Sequence, residues 1–589
     1  MQNINGRLKI RLRRHRLGAS ILGILFFVSC TQPKLIGHWK LQGDSRDYSG
    51  MGNDGINHGV DLSSGAEGRF SGDSAYIEIG DNERLRLDKD FSISAWVRVD
   101  AGARVGGDIV NKFDVDTRKG VNFHILSSSS AYNGPSDVRN LFFGIDDARD
   151  GEWIDCGRPL ATNNLVSAFL VHDNQLYAMM TGATDPGKAM AMYRYEGDGK
   201  WKDCGRPSND PNTQSIMSAV VYNGQIYVGT GKWDYVEQQT AGTAAGVYRY
   251  LGGTSWEPYG KFPPGKKRIH SISIYKGTLY ANDDQGEVYS YDTNSANWKL
   301  EFKKQTYKFI SSSVFGDDLY YGSDSTIFRL DKNGHWDTVG NFNSRNISQT
   351  HTFETYQGQL YAGTWPNGYI MRYAGDTSWV NCGWLGTDDA TLAKQEAARA
   401  GLPVHRNEIQ ELIVYNGKMY AGVIPKGEVW RYDGGQKNKL IKRLVNNPYY
   451  SISEHNTWCR VPSMAIYQGR LYAGTGTARA FPADTQHIET GKVYSWQTGQ
   501  AVSYDKDLGT EWRHVTAVRE KDQMKLYVDG KQVSSSVLNK SPDFSLSNNR
   551  PLMIGFGTQN YFKGSMKDVR IYSGALSGSS IEKMYNESK

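Results

Sequence analysis

The most regular feature of the hydrophobic pattern is a two-strand unit that recurs seven times between residues 167 and 475. Each copy has an alternating apolar segment, a short polar or glycine-containing turn, and a second apolar segment that often ends near Tyr-Ala-Gly-Thr. Alternation on both sides of such a turn predicts a β-hairpin. The residues that precede the turns, here called turn anchors, are His172, Tyr222, Tyr275, Phe315, Tyr356, Tyr415 and Tyr467.

Each hairpin is followed by further strand-like segments, such as residues 247–250 and 255–258 in the second copy. Successive turn anchors lie 40 to 59 residues apart, which leaves room for four short strands per copy. Four strands make one twisted antiparallel sheet, and radial repetition protects the sheet edges. Seven copies therefore predict a seven-bladed β-propeller. In length and in glycine and aromatic punctuation the copies resemble kelch-like propellers. A linear solenoid of hairpins is disfavoured because it would need terminal caps, and none is visible.

The chain before and after this array also alternates in the manner of half-buried strands. The informative segments are Asp-Tyr-Ser-Gly from Asp47, FSISAWV from Phe91, EWRHVTAV from Glu511, the turn pair Asp529-Gly530, and the segment from Phe562. Joined directly, the two blocks resemble a laminin-G-like, concanavalin A-like jelly roll. The predicted fold class is all-β, with a discontinuous concanavalin A-like jelly-roll sandwich and an inserted seven-bladed β-propeller.

Composition agrees with many short strands, since 65 of 589 residues are glycine and 36 are tyrosine. The length predicts at least two domains. The formal charge of +6 comes from the first 29 residues, which hold six Lys or Arg and no acid. Because the rest of the chain is neutral, nothing favours nucleic-acid binding.

The basic N-terminal stretch precedes an apolar run from Leu17 to Cys30, which is typical of a secretory signal peptide. The end of this run, Phe-Val-Ser-Cys, resembles the lipobox of bacterial lipoproteins, which implies lipidation of Cys30. An ordinary cleaved signal with an incidental cysteine is the alternative. Lipidation would anchor the protein to a lipid bilayer in the bacterial cell envelope. Resemblance to other lipoproteins implies the outer membrane, because Thr31 is not the aspartate that retains such proteins at the inner membrane. Whether the protein faces the periplasm or the cell surface is left open.

These patterns predict domain boundaries. Residues 1–29 form the signal peptide, 30–34 the lipidated N-terminus and linker, 35–149 the first part of the jelly roll, 150–508 the propeller and 509–589 the second part of the jelly roll. Residues 153–159 repeat the fourth-strand pattern of the first full copy, so we expect them to complete the last blade and close the ring.

The laminin-G-like resemblance also implies a structural calcium ion at Asp47, Asn53 and Asp568. Calcium is held by six to eight oxygen ligands, which a turn carboxylate, backbone carbonyls and a cross-strand carboxylate could supply. The alternative is a metal-free Asx turn at Asp47. No organic cofactor is indicated.

The other candidate site is the mouth of the propeller channel, where the innermost strands begin. Each of blades three to seven has a polar residue at one or both of the positions five and seven residues before its turn anchor. Together with residues just upstream, they give a ring that suits an anionic or polyhydroxylated ligand. Its members are Arg268, His270, Lys308, Gln349, His351, His405, Arg406, Glu408, Gln410, Trp458 and Arg460.

The expected function is that of a cell-envelope lipoprotein that binds a polysaccharide or glycan through the jelly roll, the propeller mouth or both. Two alternatives stay open. His270, His351 and Glu408 are candidate catalytic residues of a polysaccharide lyase or glycoside hydrolase, although HExxH, Gly-x-Ser-x-Gly and phosphate-loop motifs are absent from the sequence. Alternatively, both domains bind other envelope proteins.

Overall fold

Strands account for almost all of the regular structure. The computed structural model describes residues 32–101, 106–127, 132–160, 165–182, 190–232, 245–304, 307–345, 347–387, 407–435, 437–448, 450, 457–477, 489–537 and 544–589. The predicted signal peptide, Cys30, His405 and Arg406 lie outside these ranges.

The strands are numbered in chain order. The first nine are β1 Lys34–Trp39, β2 Ile56–His58, β3 Gly68–Ser71, β4 Tyr76–Ile79, β5 Phe91–Val99, β6 Gly107–Asp114, β7 Lys119–Leu126, β8 Asn140–Asp150 and β9 Ile154–Asp155. Next come β10 Leu165–His172, β11 Gln175–Thr181, β12 Ala191–Gly197, β13 Lys200–Asp203, β14 Ser215–Tyr222, β15 Gln225–Gly231, β16 Gly246–Gly252, β17 Ser255–Pro258, β18 Ile269–Tyr275, β19 Thr278–Asp283, β20 Glu287–Asp292 and β21 Asn297–Lys303. The next twelve are β22 Phe309–Phe315, β23 Asp318–Ser323, β24 Thr326–Leu330, β25 Trp336–Asn341, β26 Gln349–Tyr356, β27 Gln359–Trp365, β28 Tyr369–Tyr373, β29 Trp379–Trp384, β30 Glu408–Tyr415, β31 Lys418–Ile424, β32 Glu428–Tyr432 and β33 Lys439–Arg443. The last are β34 Arg460–Tyr467, β35 Arg470–Gly476, β36 Val493–Trp496, β37 Thr498–Tyr504, β38 Arg513–Glu520, β39 Gln523–Val528, β40 Lys531–Val537, β41 Leu552–Ile554 and β42 Lys563–Ser573. Helix α1, Gly578–Glu587, follows, and Glu83–Leu85 and Asn343–Arg345 form short 3-10 turns.

Two seven-stranded antiparallel sheets form the sandwich, and both combine strands from the two ends of the chain. One has the order β1-β42-β5-β38-β39-β40, with β3 also paired to β42. The other has the order β2-β4-β41-β6-β7-β8-β37. Apolar side chains of both sheets pack into one core that includes Trp39, Phe70, Phe123 and Phe143. The predicted discontinuous jelly-roll sandwich is therefore confirmed.

Strands β7 and β8 explain how this sandwich holds the propeller. In β8, Phe143 and its alternate neighbours lie in the sandwich core, whereas Phe142 packs among propeller side chains. In β7, Phe123 lies in the sandwich core and Leu126 packs with the propeller. Successive side chains of a strand point to opposite faces, so a strand that is apolar on both faces is buried on both. The second sheet therefore lies between the sandwich core and the propeller.

The described part of the inserted region contains seven four-stranded sheets, six of them built from four consecutive strands. The seventh combines β34, β35 and β36 with β9, which comes from the start of the insertion. Tyr494 pairs with Asp155 and Ser495 with Ile154. The innermost strands of neighbouring blades contact one another in sequence, and β34 contacts β10. The seven-bladed propeller is confirmed, and the expected closure of the ring by the segment from residue 153 is confirmed with it.

Two repeated side chains tie each blade to the next. Outer-strand tryptophans donate to a carbonyl of the preceding blade, as Trp256 Nε1 does to Cys204 O at 2.8 Å. Turn-anchor tyrosines donate to a turn carbonyl of the following blade, as Tyr415 Oη does to Gly469 O at 2.8 Å. The same bonds span the closure, where Trp201 Nε1 reaches Cys156 O and Tyr467 Oη reaches Asn174 O. These buried bonds explain why aromatic residues recur at fixed positions of the repeat.

The propeller is inserted at the end of a hairpin of the sandwich. Strands β8 and β37 are antiparallel neighbours, and Asp150 pairs with Thr498 where the chain leaves and re-enters. Residues 498–504, which the sequence analysis assigned to the propeller, thus belong to the sandwich, so the expected propeller end at residue 508 is too late. A ring with adjacent ends can be inserted at such a point without separating the two strands.

A buried ion-pair network marks this insertion point. Arg118 Nε lies 3.1 Å from Asp146 Oδ2, and Arg118 Nη2 lies 2.8 Å from Asp150 Oδ1. The same guanidinium contacts Thr498 Oγ1. Asn416 of the sixth blade donates to Ile145 O at 3.0 Å and to Thr498 O at 2.8 Å. The turns of the propeller blades therefore face the sandwich, and the channel mouth lies at the opposite end of the innermost strands.

Candidate functional site

Each innermost strand contains one extra residue at the same place. The register of the first two strands shifts there in all seven blades, for example between Ile269 and Ser271 in blade three and between Thr350 and Thr352 in blade five. The position five residues before each turn anchor, here called the inner ring, is Ser167, Met217, His270, Ile310, His351, Gln410 and Pro462. The position seven residues before, here called the outer ring, is Leu165, Ser215, Arg268, Lys308, Gln349, Glu408 and Arg460.

A loop of the sandwich fills the channel beneath these rings. It joins β7 to β8, and its described part, residues 132–139, contacts successive levels of the innermost strands. Near the turn end, Asp137 N donates to Val221 O at 2.9 Å. Farther in, Asn133 Nδ2 donates to Ala219 O at 3.2 Å. The loop reaches the inner ring at Tyr132.

Tyr132 lies among inner-ring side chains contributed by several blades. Its ring centroid is 6.1 Å from that of His270 and 6.1 Å from that of His351. Leu165, Met217 and Ile310 form an apolar cluster with it. Gln410 Nε2 donates to the Tyr132 hydroxyl at 3.0 Å. Among the described residues, Tyr132 thus fills the channel at the level of the inner ring, between the sandwich and the mouth.

The predicted residues His351, Gln349 and Glu408 lie in direct contact with one another. His351 Nε2 lies 2.9 Å from Gln349 Oε1, and Gln349 Nε2 donates to Asp324 Oδ1 at 3.2 Å. Because Asp324 orients the amide in this way, Gln349 presents its oxygen to His351 and the imidazole proton lies on Nε2. His351 Nδ1 is then an acceptor, and it stands 3.2 Å from Glu408 Oε1.

Burial holds the two histidines of the site in their neutral form. It lowers the pKa of His270 well below the ordinary value of 6.5, and Arg268, His351 and Lys308 lower it further. Burial also lowers the pKa of His351, where Glu408 acts in the opposite direction and Arg460 adds to the lowering. His351 Nδ1 and Glu408 Oε1 face each other at 3.2 Å, and neither atom has a hydrogen-bond partner among the described residues.

Two histidine ring nitrogens and two side-chain oxygens of the site have no hydrogen-bond partner among the described residues. They are His270 Nδ1, His351 Nδ1, Glu408 Oε1 and Gln410 Oε1. His270 is 9% exposed and Gln410 is 3% exposed. A buried polar group without a partner is costly, so such a cluster indicates a place where water or a ligand donates hydrogen bonds.

Three outer-ring residues, Arg268, Lys308 and Gln349, are more accessible than the inner ring, and the cations of the outer ring are Arg268, Lys308 and Arg460. Lys308 is exposed and Arg268 is half-buried, with its Nη2 atom 3.7 Å from Asp284 Oδ2. Arg460 and Trp458 are buried beside the start of β34. The structure thus brings most of the predicted mouth residues to one end of the channel.

Three participants were missed by the sequence analysis: Tyr132, Asp284 and Asp324. The two aspartates follow the second strands of blades three and four, so their equivalent positions in the repeat were a usable signal. Tyr132 lies in a serine- and glycine-rich loop of the other domain, and no local pattern distinguishes it.

The contacts of the predicted calcium ligands do not fit a calcium ion. Asp47 accepts hydrogen bonds from the backbone of His38, Ser49 and Asn53, as an Asx turn does. Asp568 Oδ1 lies 2.6 Å from His38 Nε2, and Asp568 Oδ2 lies 2.8 Å from Arg570 Nη2. Asn53 bridges Ile36 and Asn82. Calcium needs oxygen ligands and no adjacent cation, and the described residues contain no cluster of three His, Cys, Asp or Glu side chains.

The described part of the chain contains no helix that is long and apolar enough to cross a membrane. Lipidation at Cys30 and the envelope location stay predictions, because the N-terminal segment lies outside the described residues.

Comparisons with known proteins agree with the sandwich. Residues 450–582 match the concanavalin A-like lectin/glucanases superfamily, Laminin_G_3. Strands β37 to β42 of the sandwich lie in this span, and so do β34 to β36 of the seventh blade. No curated protein matches the chain.

Three solved structures are similar to 59% of the chain. The first is YCF48 bound to a D1 peptide, with 11% identity, 96% coverage of that chain and a TM-score of 0.38. The second is the WD40 β-propeller domain of Doa1, with 10% identity, 97% coverage of that chain and a TM-score of 0.37. The third is a catalytically inactive virginiamycin B lyase from Staphylococcus aureus with quinupristin, with 9% identity, 99% coverage of that chain and a TM-score of 0.39. At these values nothing about function transfers from them.

Proposed function

We propose that this protein binds an acidic, hydroxyl-rich carbohydrate at the propeller mouth. A concanavalin A-like sandwich and a propeller fit a carbohydrate-binding or interaction role, and the chemistry of the mouth favours carbohydrate. The observation that carries this proposal is the pair of facing acceptors, His351 Nδ1 and Glu408 Oε1, 3.2 Å apart. A ligand hydroxyl donates to this pair and relieves the repulsion between the two lone pairs.

The outer ring explains the preference for an acidic sugar. Arg268 and Lys308 lie close enough to His270 to lower its pKa, and Arg460 does the same for His351. A sugar carboxylate or sulfate on the solvent side would pair with these cations while its hydroxyls enter the inner ring. Because surface cations add affinity that salt weakens, binding should decrease as ionic strength rises.

The test is binding of the purified full chain to a panel of galacturonan, alginate, heparin and chondroitin fragments, measured by calorimetry. In His351→Gln one of the two facing acceptors is lost, and in Gln410→Leu an unpaired acceptor is removed. We expect each to weaken binding about tenfold. The matched control is His335→Gln, because His335 has a 75% exposed side chain in blade four.

Two results would contradict the proposal. The first is that the wild-type chain binds no member of the panel. The second is that His335→Gln weakens binding as much as His351→Gln does, since the mouth would then have no special role.

Elimination from a uronic acid is a second candidate function. A neutral imidazole is a base, and His351 has a lowered pKa. It would take the proton next to the sugar carboxylate while outer-ring cations neutralise that carboxylate. The bond to the glycosidic oxygen would break as a double bond forms in the sugar, and the departing oxygen would take a proton from the protonated His351 or from water. The ultraviolet absorbance of the unsaturated product tests this, and binding without any such product would favour a binding protein.

A further inference from the structure

The jelly-roll sandwich reaches the propeller mouth through one side chain. Tyr132 belongs to a sandwich loop that precedes the propeller in the sequence, yet its ring is 6.1 Å from the rings of both His270 and His351. Its 4% exposure places it at the bottom of the site. The site described above is therefore not made by the propeller alone.

Tyr132 also contacts an inner-ring side chain. The side-chain amide of Gln410 donates from Nε2 to the Tyr132 hydroxyl at 3.0 Å, which leaves Gln410 Oε1 without a partner among the described residues. If the hydroxyl were absent, the amide could turn over and present its NH2 group instead. Tyr132 thereby holds the Gln410 side chain in place.

The loop that carries Tyr132 is held in place on both sides. Ser127 Oγ donates to Ser136 O at 2.6 Å across its base. The backbone of Val221 exchanges hydrogen bonds with the loop, donating to Ser136 Oγ and accepting from Asp137 N. Ser312 N donates to Tyr132 O at 3.1 Å. Contacts with two blades fix the depth at which the tyrosine closes the channel.

We propose that Tyr132 is a specificity-determining residue of the carbohydrate site, supplied by the sandwich, which closes the site beneath the sugar and hydrogen-bonds the Gln410 side chain. This inference rests on the proposed function. It predicts a pocket that is closed at its inner end and admits the end or a side group of an acidic glycan, because the sugar chain cannot continue past Tyr132.

The test compares Tyr132→Phe, Tyr132→Ala and the matched control Tyr415→Phe. Tyr415 is also buried, and its hydroxyl donates to a turn carbonyl at the opposite end of the propeller. For the tightest-binding fragment of the panel, we expect Tyr132→Phe to weaken binding about two- to tenfold. Tyr132→Ala removes the aromatic floor and should weaken binding at least about tenfold. Tyr415→Phe should lower the unfolding temperature and leave affinity unchanged.

A second measurement does not depend on a ligand. The protein is labelled with 13C-histidine, and the NMR resonances of His270 and His351 are assigned with His→Gln variants. Tyr132→Phe should shift these resonances, and Tyr415→Phe should not. Tyr132→Phe keeps the aromatic ring and its packing, so this variant still tests the inference if Tyr132→Ala does not fold.

The outcomes separate the two claims. If the wild-type chain binds a fragment and both folded Tyr132 variants bind it equally well, this inference is overturned and the proposed function stands. Unshifted histidine resonances in Tyr132→Phe also overturn it. Failure of the wild-type chain to bind any fragment overturns the proposed function, and the inference falls with it.

Discussion

The two ends of the propeller channel are built from the same repeat, but they have different partners. At the turn end, Asn416 donates to two carbonyls of the sandwich and Phe142 packs against Tyr415 with ring centroids 6.1 Å apart. At the mouth, His270 Nδ1 and Gln410 Oε1 have no hydrogen-bond partner among the described residues. One end is a domain interface and the other retains hydrogen-bonding capacity.

This difference shows how one repeat can serve two purposes. Polar groups at the turn end gain protein partners because a second domain covers them, so they contribute to stability. Polar groups at the mouth are packed around Tyr132, and several of their acceptor atoms have no hydrogen-bond partner among the described residues. Natural proteins keep such groups where ligands bind, since an unpaired buried acceptor reduces stability. Substitutions at the two ends should therefore affect different measurements.

The largest effect is expected at the turn end, in Arg118→Met. Asp146 has a fully buried side chain and lies 3.1 Å from the Arg118 guanidinium. Removal of the cation leaves a buried carboxylate without its partner, which costs about 3–5 kcal/mol of the free energy of unfolding. Urea unfolding measures this loss. The double variant with Asp146→Asn should recover part of it, and a loss below about 1 kcal/mol in the single variant would show that the network is dispensable.

The next largest effect concerns Asp505, which accepts hydrogen bonds from Gln468 N and Ser503 Oγ at the same interface. Burial raises the pKa of Asp505 from 3.8 to about 6. Between these values the folded chain binds more protons than the unfolded chain, so stability falls as pH rises. Asp505→Asn should remove this loss, which is on the order of 3 kcal/mol. Unfolding curves at pH values across this window test it, and equal pH slopes in variant and wild type would contradict it.

At the mouth, acid should weaken ligand binding. The pKa of His351 lies below 6.5, so Nδ1 stays an acceptor at neutral pH and gains a proton only in more acidic solution. That proton would bridge His351 and Glu408 and compete with the ligand hydroxyl. Below the pKa we expect about a tenfold loss of affinity per pH unit, measured by calorimetry. The control is His351→Gln, whose remaining binding should lack this component of the pH dependence.

The smallest effect is expected away from both ends. Leu300 lies on outermost strand β21 and is 46% exposed. Leu300→Thr keeps a residue suited to a strand and touches neither end of the channel, so stability should change by at most about 0.5 kcal/mol. Thermal unfolding and glycan affinity should both match the wild type. A large change would mean that the outer strands contribute to one of the two ends.

The candidate site was only partly accessible to sequence reasoning. His351, Gln349 and Glu408 could be predicted together because they occupy the two repeat positions, five and seven residues before the turn anchors, at the start of the innermost strands. Tyr132 could not, because its role depends on contact between two domains. The calcium ligands were predicted by family resemblance, whereas their neighbours His38 and Arg570 belong to the strands packed around them.

The sequence by itself determined the blades, their number and the sandwich built from the chain ends, since strand alternation and turn chemistry are local properties repeated many times. Only the tertiary structure decided where the propeller ends and what closes its channel. Strand β37 is as apolar and alternating as a propeller strand, and its partner β8 is chosen by pairing across the insertion. The depth of the channel is likewise set by packing of a distant loop, because contacts between remote segments leave no periodic signal in the chain.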